Sequence, residues 1–295
     1  MDLDDFIITA FCIIDDTMND ILQHRRLRQR GPKPSLSDSE VLTIEVVGEY
    51  LSLHQDKAIF DYFQRHYSHF FPALKTLHRT TFVRQAANLC TVKELVWQGV
   101  LAQTSFDSEL HIIDSIPLPA CRFARAYRCQ RFKGVAAFGY DSLARQTFYG
   151  FRLHALVAWR GVIVGFRVAP ANIHDIAVAP ELVSGHFGTV LGDRNYWSPR
   201  LTDELASRQI DLVAPFKTAK HDPAPKTSAF LARFRYRIET VFSQLVDRYH
   251  IKQVGAKDMW HLSSRLLRKA LSHTIAFMLN QTQGNSPLQI SKLLN

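Results

Sequence analysis

Cysteine is sparse and unpatterned in this chain. Its 295 residues hold four cysteines (Cys12, Cys90, Cys121 and Cys129), and none forms a CxxC pair. That spacing argues against a zinc knuckle and against a secreted disulfide scaffold, and reduced thiols in a cytoplasmic protein are its simplest reading. Long apolar runs are missing as well. The run Phe6 to Ile14 follows Asp2, Asp4 and Asp5, so it lacks the basic flank of a signal peptide. It is also far too short to cross a bilayer, so no membrane association is expected. No internal repeat and no low-complexity segment interrupts the chain. Acid is in the minority: 27 Asp and Glu face 36 Lys and Arg, a net charge of +9 with an isoelectric point near 9.5. Arg outnumbers Lys, and its planar fork matches phosphate oxygens, so the excess points to a polyanionic partner. Apolar residues make up 46% of the chain, enough for a substantial core.

The first hundred residues read as helical. Helices are predicted over Phe6 to Leu22, Ala58 to His66, Thr81 to Leu89 and Val92 to Leu101. Ser37-Asp38-Ser39-Glu40 forms a capping box ahead of Val41-Leu42-Thr43-Ile44. From Glu109 the texture changes to strands: Glu109 to Leu118, then Phe148 to Arg160 and Val162 to Ala169 around the turn signal Arg160-Gly161. Pro170 to Asp175 turns into a helix through Ser184. Strands follow at Thr189 to Gly192 and Ile210 to Phe216, with a helix over Pro199 to Arg208 between them. A polar linker, Lys217 to Ser228, leads to a helix over Arg233 to Tyr249, and an amphipathic helix is predicted from Trp260 to Asn280. Three strands in a meander followed by strands alternating with helices predict a mixed α/β sheet with helices on both faces. The expected domains are a helical module over 1–105, the sheet domain over 106–282, and a tail over 283–295.

Three acids stand out. Asp114 closes the apolar run Leu110 to Ile113, Asp193 closes Thr189 to Gly192, and Glu239 lies on the helix with Ile238, Phe242, Leu245 and Tyr249 as its apolar face. Glu239 sits at the edge of that face, which predicts a half-buried carboxylate pointing toward the sheet. Each acid has a plain alternative. An Asp after an apolar run is usually a turn or cap residue; Ser198-Pro199 supplies its own helix start, so Asp193 is not needed as that cap. Glu239 and Arg235 are also spaced as an ordinary i, i+4 ion pair. Carboxylates at two strand ends and on one helix offer hard oxygens suited to magnesium and to phosphodiester cleavage. Asp175 and Asp141 are the spare carboxylates. His154 and His174, the latter beside Asp175, are weaker metal candidates.

The three acids in this strand order resemble the DDE transposases of bacterial insertion sequences, which carry an RNase H-like catalytic domain. Phe148-Tyr149-Gly150-Phe151-Arg152-Leu153-His154 is similar to their second-strand motif, where many relatives have Lys in place of Arg152. Pro170 to Asp175 is similar to their turn after the third strand, and Arg235 with Glu239 to their helix signature. Ala232 and Val246 stand where that signature has Tyr and Lys. Ser35 to Thr43 resembles the N-terminal motif of insertion-sequence family nine hundred and eighty-two.

The resemblance implies that Asp114, Asp193 and Glu239 bind two Mg²⁺ ions, with Mn²⁺ as a substitute. It implies nicking at the element's end by activated water, then attack of the freed 3′ hydroxyl on target DNA without a covalent enzyme intermediate. Double-stranded DNA, as element ends and target, is the implied partner. A homodimer in the synaptic complex and a bacterial, nucleoid-associated setting are implied too. Arg122, Arg125, Arg128, Arg131 and Lys133 recur about every third position among aromatics, a pattern suited to clamping phosphates and stacking bases. Arg152 and Arg235 join them as DNA-contact candidates. The basic run Arg25 to Lys33 and a helix-turn-helix near Leu77 to Leu89, capped by Thr80-Thr81, are further candidates for reading terminal repeats; a solvated linker and plain core helices are their alternatives. The rival functions are an RNase H-like nuclease without strand transfer, a decayed DNA-binding derivative, and a small-substrate phosphoesterase.

Overall fold

A computed structural model describes residues 1–23, 25, 27–28 and 30–294, apart from the side chains at 219, 227 and 230. The chain divides into two compact units: 106–244, built on the sheet, and 1–105 together with 245–295. The sheet domain was expected to run to 282.

The sheet unit contains six strands: β1 (Asp107–Pro119), β2 (Ala137–Asp141), β3 (Gln146–Trp159), β4 (Val162–Pro170), β5 (Gly188–Leu191) and β6 (Ile210–Val213). β1 is central. It pairs antiparallel with β3 on one side and parallel with β5 on the other, and β5 pairs parallel with β6. The far edge of β3 is shared, its first five residues pairing with β2 and its later part with β4. This is the mixed, RNase H-like sheet expected from the sequence, with β2 as an extra strand. β2 escaped detection because its five residues, Ala-Phe-Gly-Tyr-Asp, alternate only weakly and include a glycine. The β3–β4 turn has both central residues, Arg160 and Gly161, at positive φ (82° and 108°), as a two-residue hairpin requires.

The helices of this unit are α6 (Asp175–Leu182), α7 (Pro199–Ala206) and α8 (Pro225–Asp247), the last counted here to Gln244. They cover both faces. Successive strand residues point to opposite faces, and Arg235 of α8 reaches Asp114 while Asp175 of α6 reaches its neighbour Ser115. α8 starts well before Arg233, inside the stretch read as a linker. A proline in its first turn suits a helix start, because the ring presets φ and the missing N–H would be unpaired there anyway.

The helical unit comprises α1 (Leu3–Leu22), α2 (Asp38–Tyr50), α3 (Asp56–His66), α4 (Arg79–Asn88), α5 (Cys90–Gln103) and α9 (Met259–Thr282). Ser37 and Glu40 form the expected capping box on α2. α4 is capped by His78, whose ring accepts from the Thr80 N–H, and not by Thr80-Thr81. Only Leu89 separates α4 from α5, too short a turn to read as a helix-turn-helix. α9 is not amphipathic: 16 of its 24 residues are buried, Arg268, Lys269 and His273 among them. A helix buried nearly all round forms the centre of its unit, and that explains why 245–295 joins the N-terminal helices. Arg26 and Gln29 of the basic run lie outside the described residues; Arg28 forks onto Asp38 at 2.9 and 2.7 Å.

Candidate active site

Strand register brings the two aspartates together. In the parallel β1–β5 pair, Ile112 lies opposite Leu191. Asp114 and Asp193 each follow by two residues, which sets them on the same face just past the end of the parallel ladder. Asp193 lies beyond β5, but Asp114 is not at a strand end as expected, since β1 runs on to Pro119 paired with β3. Gly192 makes the turn possible: a Cβ there would lie 2.8 Å from the Tyr196 Cβ, which folds back underneath.

Asp114 is half-buried. Its Oδ1 accepts from the Ser115 N–H at 2.8 Å and its Oδ2 from Arg235 at 3.0 Å. Burial pushes its carboxyl up to about 6, against the opposing pull of Arg235 and the Ser115 N–H, with Asp193 adding to the rise. Asp193 accepts from the Asn195 backbone at 2.8 Å and side chain at 3.1 Å, capping the 3-10 turn Arg194–Tyr196. It therefore has a local structural role besides any catalytic one. Burial raises its carboxyl as well, opposed by the Asn195 N–H and Arg235. As expected, Ser198 and not Asp193 caps α7.

Glu239 behaves differently. Ile238 and Phe242 are buried as the helical pattern predicts, but Glu239 is exposed rather than half-buried. Arg235, one turn before it, pairs with Asp114 instead. Among the described residues, no three His, Cys, Asp or Glu side chains gather closely enough to hold a metal ion. The donor chemistry still fits a hard cation at Asp114 and Asp193. Their oxygens are hard, burial disfavours both charges, and Arg235 already supplies positive charge where a divalent ion would.

Asp175 lies on the other face of β1. Its Oδ1 accepts from Ser115 Oγ at 3.0 Å and stands 3.4 Å from Nδ1 of the buried His154. Burial holds His154 below its ordinary range, with Asp175 pulling the other way. Asp175 is the first residue of α6, and His174 ahead of it makes no side-chain cap hydrogen bond. Asp141 accepts from the Leu143 and Ala144 N–H groups in the β2–β3 turn.

Residues 105–257 match the family described as Transposase DDE domain. The chain belongs to that family. No curated protein matches the chain. Among solved structures, the cryo-EM structure of the piggyBac transposase synaptic complex with hairpin DNA is similar at 10% identity and a TM-score of 0.49. That alignment covers 97% of this chain and 77% of the other; a likeness this distant assigns no residue roles.

In this transposase, Arg122, Arg125, Arg128, Arg131 and Lys133 are all exposed, running from just before the 3-10 turn Phe123–Arg128 to just after it. Phe132 is buried and packs edge-on against Phe151 at 5.0 Å, tying the basic segment to β3. Outside it run the rings of Phe123, Tyr127, Phe138 and Tyr149, with successive centroids 6.5, 5.2 and 5.2 Å apart. Tyr127 is 84% exposed. Arg152 donates to the Tyr140 carbonyl at 2.6 Å and lies 3.5 Å from Ser115 Oγ, so the β2 strand is what orients it.

Tyr196 is the residue that sequence reasoning missed. Its phenol is fully buried and its hydroxyl has no hydrogen-bond partner among the described residues. Burial, then the negative charges of Asp175, Asp114 and Asp193, push its pKa well above the ordinary value. The signal lay in Gly192-Asp193-Arg194-Asn195-Tyr196, where a glycine before the acid and an aromatic three after it are what a ring folded beneath a carboxylate needs.

Proposed function

We propose that this transposase cuts and joins DNA at insertion-sequence ends, using Asp114 and Asp193 as metal-binding carboxylates and Glu239 as the third acid. The observation that carries this reading is that Asp114 and Asp193 each stand two residues beyond the last matched pair, Ile112 and Leu191, of the parallel β1–β5 ladder. A divalent ion bound there, magnesium or manganese, supplies charge neutralisation and an activated oxygen nucleophile for in-line displacement.

The chain's own groups have distinct tasks. Asp114, within β1, and Asp193, just past β5, would hold the ion through their carboxylate oxygens. Arg235, which pairs with Asp114 at 3.0 Å, would be free to turn its fork to a phosphate oxygen if that carboxylate held the ion. Glu239 reaches the site by a side-chain and helix adjustment that DNA binding drives, as apo sites often tighten only with substrate. The arginines from 122 to 131 with Lys133 clamp the backbone, and the Tyr127 ladder stacks bases that the distorted end leaves unpaired. In the first step the water oxygen bonds to phosphorus and the 3′ oxygen leaves. In the second, that 3′ hydroxyl gives up its proton and its oxygen bonds to a target phosphorus at the same site, while the target strand's own 3′ oxygen leaves and takes up a proton. Two ends in one synaptic complex imply a homodimer there. The Ser35 to Thr43 motif, with its capping box, supports membership of insertion-sequence family nine hundred and eighty-two.

Incubating the protein with labelled end DNA and magnesium or manganese tests the reading. Nicked ends followed by joined products are expected, and neither from Asp193→Asn. Nicking without joining would select the nuclease alternative; binding without nicking would select the decayed one.

A further inference from the structure

The helical unit has a groove of its own, of about 350 Å³, between α4 and the first turn of α9. That volume falls at the small end of ligand clefts, roughly 300–1,000 Å³. It has room for one nucleotide and not for a duplex. Its walls include Val83, Ala87 and the indole of Trp260, with Arg79, Arg84 and Asn88 beside them.

Two features set this groove apart from an ordinary crevice. Trp260 is 49% exposed, yet its Nε1 donates to the Ala87 carbonyl at 2.8 Å, so the ring is fixed at one edge while much of its surface stays open. Arg79 and Arg84 are exposed, and neither guanidinium forms an ion pair among the described residues. The local acid, Asp258, is engaged with His261 at 2.8 Å. A preordered aromatic surface between two uncommitted guanidiniums matches a base with its phosphates. Stacking needs an open π-face, and the forks match phosphate oxygens. The amide of Asn88 can donate and accept at a base edge.

We propose that this groove binds one unpaired nucleotide of a DNA strand, its base on Trp260 and its phosphates between Arg79 and Arg84. The assignment rests on the DNA-processing reading above but uses none of the carboxylate residues.

Anisotropy titrations of the full-length chain test it, with a labelled oligothymidylate of about 12 nucleotides and a duplex of equal length as probes. Trp260→Leu is expected to weaken single-strand binding about tenfold and duplex binding much less, while Trp260→Phe keeps most of the affinity. The Arg79→Ala, Arg84→Ala double variant is expected to lower the salt dependence of single-strand binding by about two phosphate contacts. Thermal melts of each variant guard against misfolding, and Trp260→Phe provides the folded control. Single-strand binding unchanged in both the Leu and the double variant overturns the assignment, as does an equal loss on both probes. If the wild type still cuts and joins end DNA in that case, only the groove assignment falls. If the wild type binds neither probe, the DNA-processing reading falls with it.

Discussion

At the residue scale, the acid pair trades stability for chemistry. Asp114 has a folded-state value near 6 against an ordinary value near 4. The folded state therefore holds its proton more tightly, and stability is lost as pH rises between those values. Above pH 7 the ionised carboxylate costs about 1–3 kcal/mol. Asp114→Asn should abolish cleavage while raising the unfolding free energy at pH 7.5 by about that amount, a pairing that denaturant melts and a cleavage assay check together. His111 has the opposite sign dependence. It is buried beside His186 and held down to about 4. The unfolded chain then binds the extra proton, so stability is full above about pH 6.5 and falls as pH drops toward 4. His111→Leu should flatten that acid limb by about 1–3 kcal/mol, read from urea melts at pH 7 and pH 4.5. Tyr196→Phe removes a buried hydroxyl that has no hydrogen-bond partner among the described residues, so stability should stay level or rise by up to about 1 kcal/mol. A loss of several kcal/mol would mean that the hydroxyl has a partner in solution.

At the element scale, the lesson is which signals the sequence exposes. Strands β1, β3 and β4 were legible because each is a long β-branched and aromatic run closed by a turn signal, as at Arg160-Gly161. Asp114 and Asp193 were legible because each follows a short apolar run, Leu110 to Ile113 and Thr189 to Gly192, although β1 continues past Asp114 to Pro119. Glu239's place on its helix was legible from the 3.6-residue period, but its exposure was not. Period fixes which residues share a face, not how closely that face approaches the sheet. α9 was misread as amphipathic because Arg268 and Lys269 look like a solvent face. Their partners come from remote elements: Glu49 lies 2.5 Å from both, and Asp56 lies 2.6 Å from Arg268. Lys93 is similarly buried against Glu45 at 2.6 Å. Removing Arg268 leaves Glu45, Glu49 and Asp56 with one cation each, Lys93, Lys269 and Arg265, and strips each carboxylate of its Arg268 hydrogen bond, so Arg268→Met should cost about 3–5 kcal/mol in thermal or denaturant melts. A loss below about 1 kcal/mol would show that water reaches the network.

At the scale of the whole molecule, the two compact units are not consecutive stretches of chain. Residues 245–295 return to the N-terminal helices, with Lys93 bonded to Ser264 at 2.8 Å and Trp97 to Thr274 at 3.0 Å. A fragment ending at Ser105 lacks the helix around which α2 and α5 pack. It should fail to give a cooperative melt, whereas adding 245–295 back should restore one. Deleting 1–105 to test end recognition would likewise expose the buried surface of α9, so point variants are the sounder probe. The central claim is that Asp193 is a metal ligand and not merely the cap of the Arg194–Tyr196 turn. The direct measurement is end cleavage by Asp193→Cys in magnesium and then in manganese, with DNA binding followed in parallel. The account predicts no cleavage in magnesium, partial recovery with the more thiophilic manganese, and unchanged binding. Cleavage equal to wild type in magnesium would contradict it.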